Sequence, residues 1–220
     1  MSASTLPLHP GLGPWTADRL EIAAWHAGAR EEWPGRTLLT VVFQGCPWTC
    51  VNCPDPDLSD LTVPGRVAWA EILGVIQRSR SGLDGVLFAG GEPTRQDGLA
   101  DAVAQVRALG LPIALRTSGA YPQRLAAVLR YVDRVVMDVK APAGRYRSVT
   151  GTSASAHKAF ASLRLALDAG VPLQVVTDVS REALTDDEIT DLRATLAAMG
   201  VTDHVVIGTD AAPCCSPAGC

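Results

Sequence analysis

The sequence predicts an α/β fold around a parallel sheet, and two observations support this prediction. Apolar runs of strand length recur along the chain at residues 38–44, 85–89, 112–116, 134–138, 172–177 and 204–207. Continuous runs of this kind are typical of strands that are buried on both faces. The segments between them carry helical periodicity. Six strands that alternate with helices indicate a parallel sheet, either open or closed into an incomplete barrel.

Helices are predicted from apolar stripes at helical spacing. The stripes comprise Trp69, Ile72, Leu73 and Ile76; Leu99, Ala102, Val103, Val106 and Leu109; and Ile189, Leu192, Leu196 and Met199. Thr185 and Glu188 have the spacing of a capping box, which predicts the start of the last helix. Three glycines stand where a helix should end before the next strand, namely Gly110, Gly170 and Gly200.

The chain divides into three segments. Residues 1–36 are rich in Pro, Gly and Trp, and they are expected to form an N-terminal extension with a short helix around Asp18–Arg30. Residues 37–210 contain the regular alternation of strands and helices and form the predicted domain. Residues 211–220 form a tail that contains cysteines.

Composition and charge restrict the class of protein. Of the residues, 47% are apolar and 19% are charged, which is the balance of an ordinary globular protein. A net charge of −4 without a block of Lys or Arg argues against nucleic acid or an anionic membrane as the partner. The sequence has no apolar run of membrane-spanning length, and its first residues lack the pattern of a secretory signal. We therefore expect a cytoplasmic protein whose partner is a small molecule or another protein.

The six cysteines form two groups of three. In a chain without a secretion signal, cysteines are more often metal ligands or redox thiols than disulfides. Cys46, Cys50 and Cys53 follow the first predicted strand directly. The second group lies in the tail and consists of Cys214, Cys215 and Cys220. The tail group could bind a second metal, carry redox thiols, or be incidental to a disordered end.

Three thiolates in one short loop can hold one face of a small metal centre. A closed structural zinc site has four ligands, and an iron–sulfur cluster that only transfers electrons usually has four cysteines. Three cysteines leave one metal position open, which suits a centre that binds its substrate directly. The alternatives are a zinc site completed by His26 or by a tail cysteine, and three buried thiols without a metal.

Other candidate residues also follow predicted strands. The GGEP stretch, Gly90–Pro93, follows the second strand, TSGAYP at Thr117–Pro122 follows the third, and Asp138 and Lys140 close the fourth. Ligands of parallel α/β proteins collect at the carboxyl ends of the strands. The glycines would let backbone approach a ligand, and the Glu92 carboxylate could bind an ammonium group. Taken singly, the GGEP stretch is equally compatible with an ordinary turn, and exposed charges at a strand end are the commoner explanation of Asp138 and Lys140.

Together these motifs resemble those of the radical S-adenosylmethionine (SAM) enzymes. GCPWTCVNC has their C-x3-C-x2-C spacing, and FAGGEPTRQ is similar to their SAM-binding stretch. From about Trp33 to about Ile207, the chain is similar to the activating enzymes of glycyl-radical proteins, especially those of anaerobic ribonucleoside-triphosphate reductase. The stretches that carry this similarity are WPGRTLLTVVFQGCPWTC, SGLDGVLFAGGEPTRQ, LRTSGAYPQRL, VDRVVMDVKAPAGRYRSVTG and ASLRLALDAGV. The resemblance implies a partial (β/α)6 TIM-like barrel, the radical SAM fold.

The resemblance also implies cofactors and partners. Cys46, Cys50 and Cys53 would hold a [4Fe–4S] cluster whose open iron chelates the amino and carboxylate groups of SAM. One electron from the cluster would cleave SAM to methionine and a 5′-deoxyadenosyl radical, which removes a hydrogen from a glycine Cα of a partner enzyme. The implied partner is a glycyl-radical enzyme, in particular an anaerobic ribonucleotide reductase. The implied electron donor is a flavodoxin- or ferredoxin-type protein.

The same resemblance assigns the SAM contacts. The stretch that contacts the methionyl end of SAM comprises Gly90, Gly91, Glu92 and Pro93, with Glu92 near the ammonium. The residues around the ribose, the carboxylate and any bound cation would be Thr117, Ser118, Asp138 and Lys140.

Two stretches depart from the family pattern. Residues 54–56 (PDP) stand where such activators commonly have His-Asn-Pro, and residues 176–178 (VTD) stand where an Arg-Thr-Thr triplet is expected. A candidate cation for the SAM carboxylate is therefore missing, and Lys140 alone or Arg116 would replace it. Two other functions stay open: a radical SAM enzyme acting on a small molecule or peptide, for example in deazapurine formation, and a non-catalytic iron–sulfur protein.

Overall fold

The computed structural model describes residues 16–180 and 184–208. Within these residues the strands are β1 (Ile22–Ala29), β2 (Thr37–Phe43), β3 (Gly85–Gly90), β4 (Ile113–Thr117), β5 (Arg134–Asp138), β6 (Leu173–Asp178) and β7 (His204–Ile207). The helices are α1 (Trp69–Ser79), α2 (Leu99–Ala108), α3 (Pro122–Leu129), α4 (Tyr146–Thr150), α5 (Ser155–Asp168) and α6 (Asp186–Met199). The six predicted strands are confirmed as β2–β7, each within one residue of its predicted bounds.

The strands form one sheet in the order β1-β2-β3-β4-β5-β6-β7. Strand β1 pairs with β2 in the antiparallel direction, and all the other neighbours are parallel. The architecture confirms the predicted α/β fold and corresponds to a partial TIM-like barrel. Because β2–β7 run in the same direction, their carboxyl ends meet at one edge of the sheet. The residues that follow the six strands are therefore brought together.

The two faces of the sheet have different surroundings, because successive side chains of a strand point to opposite faces. On one face, buried residues such as Val41, Phe88 and Leu115 share the main apolar core with buried helix residues, among them Ile72 and Val103. We call the opposite face the inner face. It carries a smaller apolar cluster, which consists of Leu38, Leu87, Ala89 and Ala114, with Trp33 packed against it.

The helix predicted around Asp18–Arg30 is wrong. A 3-10 turn covers Ala17–Arg19, and Ile22–Ala29 form β1. Pairing with the edge of β2 supplies backbone hydrogen bonds to β1 and buries Ile22 completely, so tertiary contacts override local preference in this segment. The sheet thus begins inside residues 1–36, the segment that the sequence assigns to an N-terminal extension.

The turn between β1 and β2 covers the inner face near the amino ends of the strands. Trp33 packs on the inner-face cluster, and the Arg36 guanidinium lies 4.7 Å from the centre of its ring. The Glu32 carboxylate accepts a hydrogen bond from Arg116 at 2.9 Å, and the Glu32 carbonyl accepts one from Arg134 at 2.5 Å. The carboxyl ends of the strands are therefore the side from which a ligand can approach.

The predicted helix ends are confirmed. Thr185 and Glu188 form a capping box at the start of α6. The three predicted glycines at helix ends adopt positive φ, with Gly200 at 101°. Among residues 16–180 and 184–208, no helix is both long and apolar enough to cross a membrane. The tail cysteines, Cys214, Cys215 and Cys220, lie outside the described residues.

Thr185→Ala should lower the melting temperature of the chain by about 2–4 °C, because losing an N-cap hydrogen bond costs about 1 kcal/mol in a chain of this length. The measurement is thermal unfolding followed by circular dichroism. Thr190→Ala changes an exposed residue of the same helix and should leave the melting temperature nearly unchanged. Equal shifts in the two variants would contradict the role of the cap.

Candidate active site

Cys46, Cys50 and Cys53 lie in one loop beyond the carboxyl end of β2, which we call the thiol loop (residues 46–53). All three side chains are partly buried. Two backbone amides of the loop donate to the last two carbonyls of α4, at 3.1 and 3.0 Å. The three predicted ligands therefore lie in one loop that two hydrogen bonds attach to α4, the helix after β5.

Two further side chains of the thiol loop hold it in place. Trp48 is buried and meets the Tyr146 ring edge-on at 6.0 Å, and the Tyr146 hydroxyl accepts from the Lys140 amide at 3.1 Å. Asn52 is also buried and donates through Nδ2 to the Asp178 carbonyl, at the end of β6, at 2.7 Å. Sequence reasoning missed these residues. Their position inside the cysteine motif is the signal that could have identified Trp48 and Asn52.

The departure at residues 54–56 has a structural role. These residues lead into a 3-10 turn at Pro56–Ser59. Two carbonyls of the turn accept from the amides of Gly45 and Cys46, at 2.8 and 3.3 Å. The Gln44 side chain donates to two further carbonyls of this segment, at 3.0 Å each. The turn that begins at Pro56 therefore brings residues 57–60 back against the start of the thiol loop.

Cys46 and Cys50 are protonated near neutral pH in the absence of a metal. Burial, with a further contribution from the charge of Glu92, raises the pKa of Cys46 to about 12. Burial also raises the pKa of Cys50, although the charge of Lys140 opposes this increase. Thiolates are the form that binds metal, so metal binding at this loop must release protons.

The donor set of the thiol loop suits an iron–sulfur cluster. Three thiolates are soft ligands, which iron–sulfur clusters prefer. His26 pairs with Thr40 in the middle of β2, whereas the thiol loop begins beyond the end of that strand. This placement argues against His26 as a fourth zinc ligand. Within the described ranges, no three His, Cys, Asp or Glu side chains converge closely enough to hold a single metal ion.

The Glu92 side chain is fully buried, and five hydrogen bonds hold its carboxylate. One oxygen accepts from the amide and hydroxyl of Thr94, at 3.0 and 2.6 Å, and from the Thr117 hydroxyl at 2.6 Å. The other accepts from the amide and hydroxyl of Ser118, at 2.8 and 2.5 Å. A carboxylate offers about four lone-pair positions, so both oxygens are occupied by protein donors. Glu92 thereby joins the turn after β3, which Pro93 begins, to the end of β4.

Gly90 and Gly91 let the end of β3 pack directly on the end of β2. A Cβ atom on Gly90 would lie 2.5 Å from the Phe43 nitrogen, and one on Gly91 would lie 2.5 Å from the Gly45 oxygen. Gly90 also has a φ of 103°, which other residues rarely adopt. The sequence attributed these glycines to the close approach of a ligand. Close packing beside the thiol loop is a second and independent reason for them.

Asp138 and Lys140 are buried at the end of β5 and form part of a charge network on the inner face. The Arg116 guanidinium binds the Asp138 carboxylate through two hydrogen bonds of 3.2 and 3.1 Å, and the Lys140 Nζ lies 3.5 Å from the same carboxylate. Burial alone would raise the pKa of Asp138, but the charges of Arg116 and Lys140 lower it to about 2. Burial alone would lower the pKa of Lys140, but the charges of Asp138 and Cys50 outweigh burial and raise this pKa above its usual value. All these groups are therefore charged at neutral pH.

Residues 176–178 supply no cation to the site. The Thr177 hydroxyl donates to the Val139 carbonyl at 2.8 Å and lies 2.9 Å from His204 Nε2. The Asp178 carbonyl accepts from Asn52, and its carboxylate accepts from the Ser180 amide at 2.8 Å. Of the two cations predicted to replace the missing one, Arg116 already binds the carboxylates of Asp138 and Glu32. Lys140 lies near Cys50 of the thiol loop and is therefore the better candidate for the SAM carboxylate.

Glu92→Gln should lower the free energy of unfolding by about 2 kcal/mol. The amide NH2 of glutamine is a donor, and in this buried position it would face donors of Thr94, Thr117 or Ser118. Urea unfolding of the ligand-free chain measures this change. The matched control is Glu71→Gln, since Glu71 accepts one surface hydrogen bond from Trp25 at 3.4 Å and should tolerate the change. A Glu92→Gln variant as stable as the wild type would show that the carboxylate is free to serve SAM alone.

Asp138 should contribute to the acid unfolding of the chain. Its pKa in the folded state is about 2, below the ordinary value of about 3.9 in an unfolded chain. The resulting stabilisation, about 2 kcal/mol, is present above about pH 4 and is lost as the pH falls through about 2. In urea unfolding between pH 6 and pH 2, Asp138→Asn should therefore lose less stability than the wild type. Asp187→Asn, an exposed change in α6, should keep the wild-type slope, and an equal slope in Asp138→Asn would contradict the assignment.

Comparisons with known proteins indicate the family and the fold. A family model, that of the radical SAM superfamily, matches residues 40–196. The pyruvate formate-lyase-activating enzyme of Clostridium pasteurianum is 30% identical over 124 residues, which are 53% of this chain and 52% of that enzyme. The chain thus spans about half the length of the curated relative that it matches.

Solved structures of low sequence identity share the fold. SuiB of Streptococcus suis, bound to S-adenosylmethionine, has a TM-score of 0.61 at 13% identity, over 77% of this chain and 39% of that one. TYW1 with a lysine-pyruvate adduct has a TM-score of 0.55 at 15% identity, over 78% of this chain and 64% of that one. The matched family model covers well over half of the chain, including the thiol loop and the GGEP stretch. The chain therefore belongs to the radical SAM superfamily, whose cofactors are a [4Fe–4S] cluster and SAM.

Proposed function

We propose that this chain is an activating enzyme that forms a glycyl radical on a partner protein, such as an anaerobic ribonucleotide reductase. The observation that carries the proposal is its 30% identity to a pyruvate formate-lyase-activating enzyme, over 53% of the chain. The motif similarities from the thiol loop to the DVK stretch at residues 138–140 support the same class. A flavodoxin- or ferredoxin-type protein would supply the electron.

In this proposal the thiol loop holds the cluster. Cys46, Cys50 and Cys53 would each supply one thiolate, and the missing fourth ligand would leave a corner for SAM. When bound, the cluster and SAM together supply a carbon radical that can remove a hydrogen atom from the partner. The protein positions these groups and keeps competing reactants away. Trp48 and Asn52 would fix the loop relative to the residues that contact SAM.

The SAM contacts would come from three strand ends. Lys140 is buried and positively charged, so its ammonium would pair with the SAM carboxylate. Gly90 and Gly91 would lie along the methionyl end. The negative charge of Glu92 would favour the SAM ammonium, while its hydrogen bonds orient the hydroxyl groups of Thr117 and Ser118.

Exposed apolar side chains favour a protein as the substrate. Among the described residues, the large apolar side chains that stay exposed are Val51, Leu61 and Val205. Val51 belongs to the thiol loop and Leu61 to the segment that follows it. Val205 pairs in register with Val176, which pairs with Asp138, so it shares the inner face with the proposed SAM residues. A protein substrate that docks at the cysteines would cover Val51, which belongs to the same loop.

The test is an anaerobic reaction that contains the reconstituted chain, SAM, a strong reductant and a purified anaerobic ribonucleoside-triphosphate reductase. We expect 5′-deoxyadenosine to form, together with the glycyl-radical signal in the electron paramagnetic resonance spectrum. Cys50→Ala should abolish both products and the cluster absorbance, because it removes one of three ligands. Val51→Ala, the neighbouring change in the same loop, should retain the cluster.

The outcomes separate the possible functions. A reductase whose radical-site glycine is replaced by alanine should give no glycyl signal. Deoxyadenosine formation that is independent of every protein partner would favour a small-molecule substrate. A stable cluster that gives no deoxyadenosine with or without the reductase would contradict the proposal and favour a non-catalytic iron–sulfur protein. Iron content that is unchanged in Cys50→Ala would contradict the ligand assignment.

A further inference from the structure

Arg116 lies between two carboxylates on the inner face. Its Nε and Nη2 atoms donate to Asp138 at 3.2 and 3.1 Å, and its Nη1 atom donates to Glu32 at 2.9 Å. The paired bonds to Asp138 fix the plane and orientation of that carboxylate. Glu32 belongs to the turn between β1 and β2, so the guanidinium links the end of β5 to the opposite end of the barrel.

The four charges of this network balance. Glu32 and Asp138 supply two negative charges, and Arg116 and Lys140 supply two positive charges. A buried carboxylate without a neighbouring cation would be strongly unfavourable, so a positive group must lie beside Asp138. In this chain a side chain supplies that group.

A metal ion at Asp138 would be excluded by the same network. Each carboxylate oxygen accepts from the guanidinium, and one of them also lies 3.5 Å from the Lys140 Nζ. A bound Na⁺ or K⁺ would have to displace a guanidinium and would meet a second positive charge within a few ångströms. The guanidinium therefore occupies the place beside Asp138 that a bound cation would take.

We infer that Arg116 is the permanent cation of this site and that the chain positions Asp138 and Lys140 for SAM without a monovalent metal ion. The inference rests on the proposed placement of SAM beside these two residues. Arg116 is a positioning residue, since it acts through Asp138 and Lys140. It follows that SAM binding by this chain does not depend on Na⁺ or K⁺, and that removal of Arg116 creates such a dependence.

The test compares the wild type, Arg116→Ala and Arg107→Ala. Arg107 is the matched control, because it pairs with Asp133 on the surface at 2.5 Å. Two quantities are measured in equal, low concentrations of tetramethylammonium, sodium, potassium and methylguanidinium chloride. The first is the melting temperature of the ligand-free chain. The second is the SAM dissociation constant of the anaerobically reconstituted protein, by equilibrium dialysis.

The wild type and Arg107→Ala should each give the same SAM dissociation constant in all four salts. Arg116→Ala should bind SAM about tenfold more weakly in tetramethylammonium, which has no N–H group to donate to Asp138 and whose methyl groups keep its charge away from the carboxylate. Potassium or methylguanidinium should restore most of this loss, since either can enter and neutralise Asp138. The melting temperature of Arg116→Ala should recover in the same salts.

Three results would overturn the inference. They are a wild-type SAM affinity that requires Na⁺ or K⁺, an Arg116→Ala affinity equal to that of the wild type in every salt, and a weakened affinity that no cation restores. If Arg116→Ala does not fold, Arg116→Lys replaces it and should bind SAM independently of the salt. If the wild type binds no SAM in any salt, the proposed function fails, while the melting temperatures still test the pairing of Arg116 with Asp138.

Discussion

The buried carboxylate of Glu92 connects the strand ends that form the site. A carboxylate can be buried at low cost only when hydrogen bonds replace its water, and here Thr94 and the two residues Thr117 and Ser118 at the end of β4 supply them. The same turn rests on the start of the thiol loop, because the Glu92 amide donates to the Gly45 carbonyl at 3.0 Å. Glu92 therefore links the start of the thiol loop, through its amide, to Thr117 and Ser118, through its carboxylate.

The thiol loop is held by protein contacts that do not involve a metal. Trp48 packs in the aromatic core, Asn52 binds the end of β6, and two amides bind the end of α4. A loop that is ordered before a cluster binds loses less conformational freedom on binding. The cost that remains is the removal of thiol protons, since burial raises the pKa values of Cys46 and Cys50. Neutral thiols beside Lys140 and Glu92 are thus the resting state of the site.

The inner face differs from an apolar barrel interior because charged groups occupy much of it. The turn between β1 and β2 covers one end with Trp33 and contributes Glu32 to the charge network. That network extends to Lys140 near the opposite end, next to the thiol loop. The turn between β1 and β2 therefore covers the amino ends of the strands, and charged side chains lie at their carboxyl ends. A polar cofactor is expected to bind at the carboxyl ends.

The sequence alone is sufficient to predict the six parallel strands, because strands buried on both faces need continuous apolar runs and these runs alternate with helical patterns. It also determined the three thiols of one loop, since their spacing is local and a single loop carries them all. That Ile22–Ala29 form a strand can be seen only in the folded structure, because the backbone hydrogen-bond partners of β1 belong to β2. The partners of Glu92 and Arg116 can likewise be seen only there. Apart from the bonds between Glu92 and Thr94, these contacts join residues at least 22 positions apart in the chain, so a local sequence pattern cannot show them.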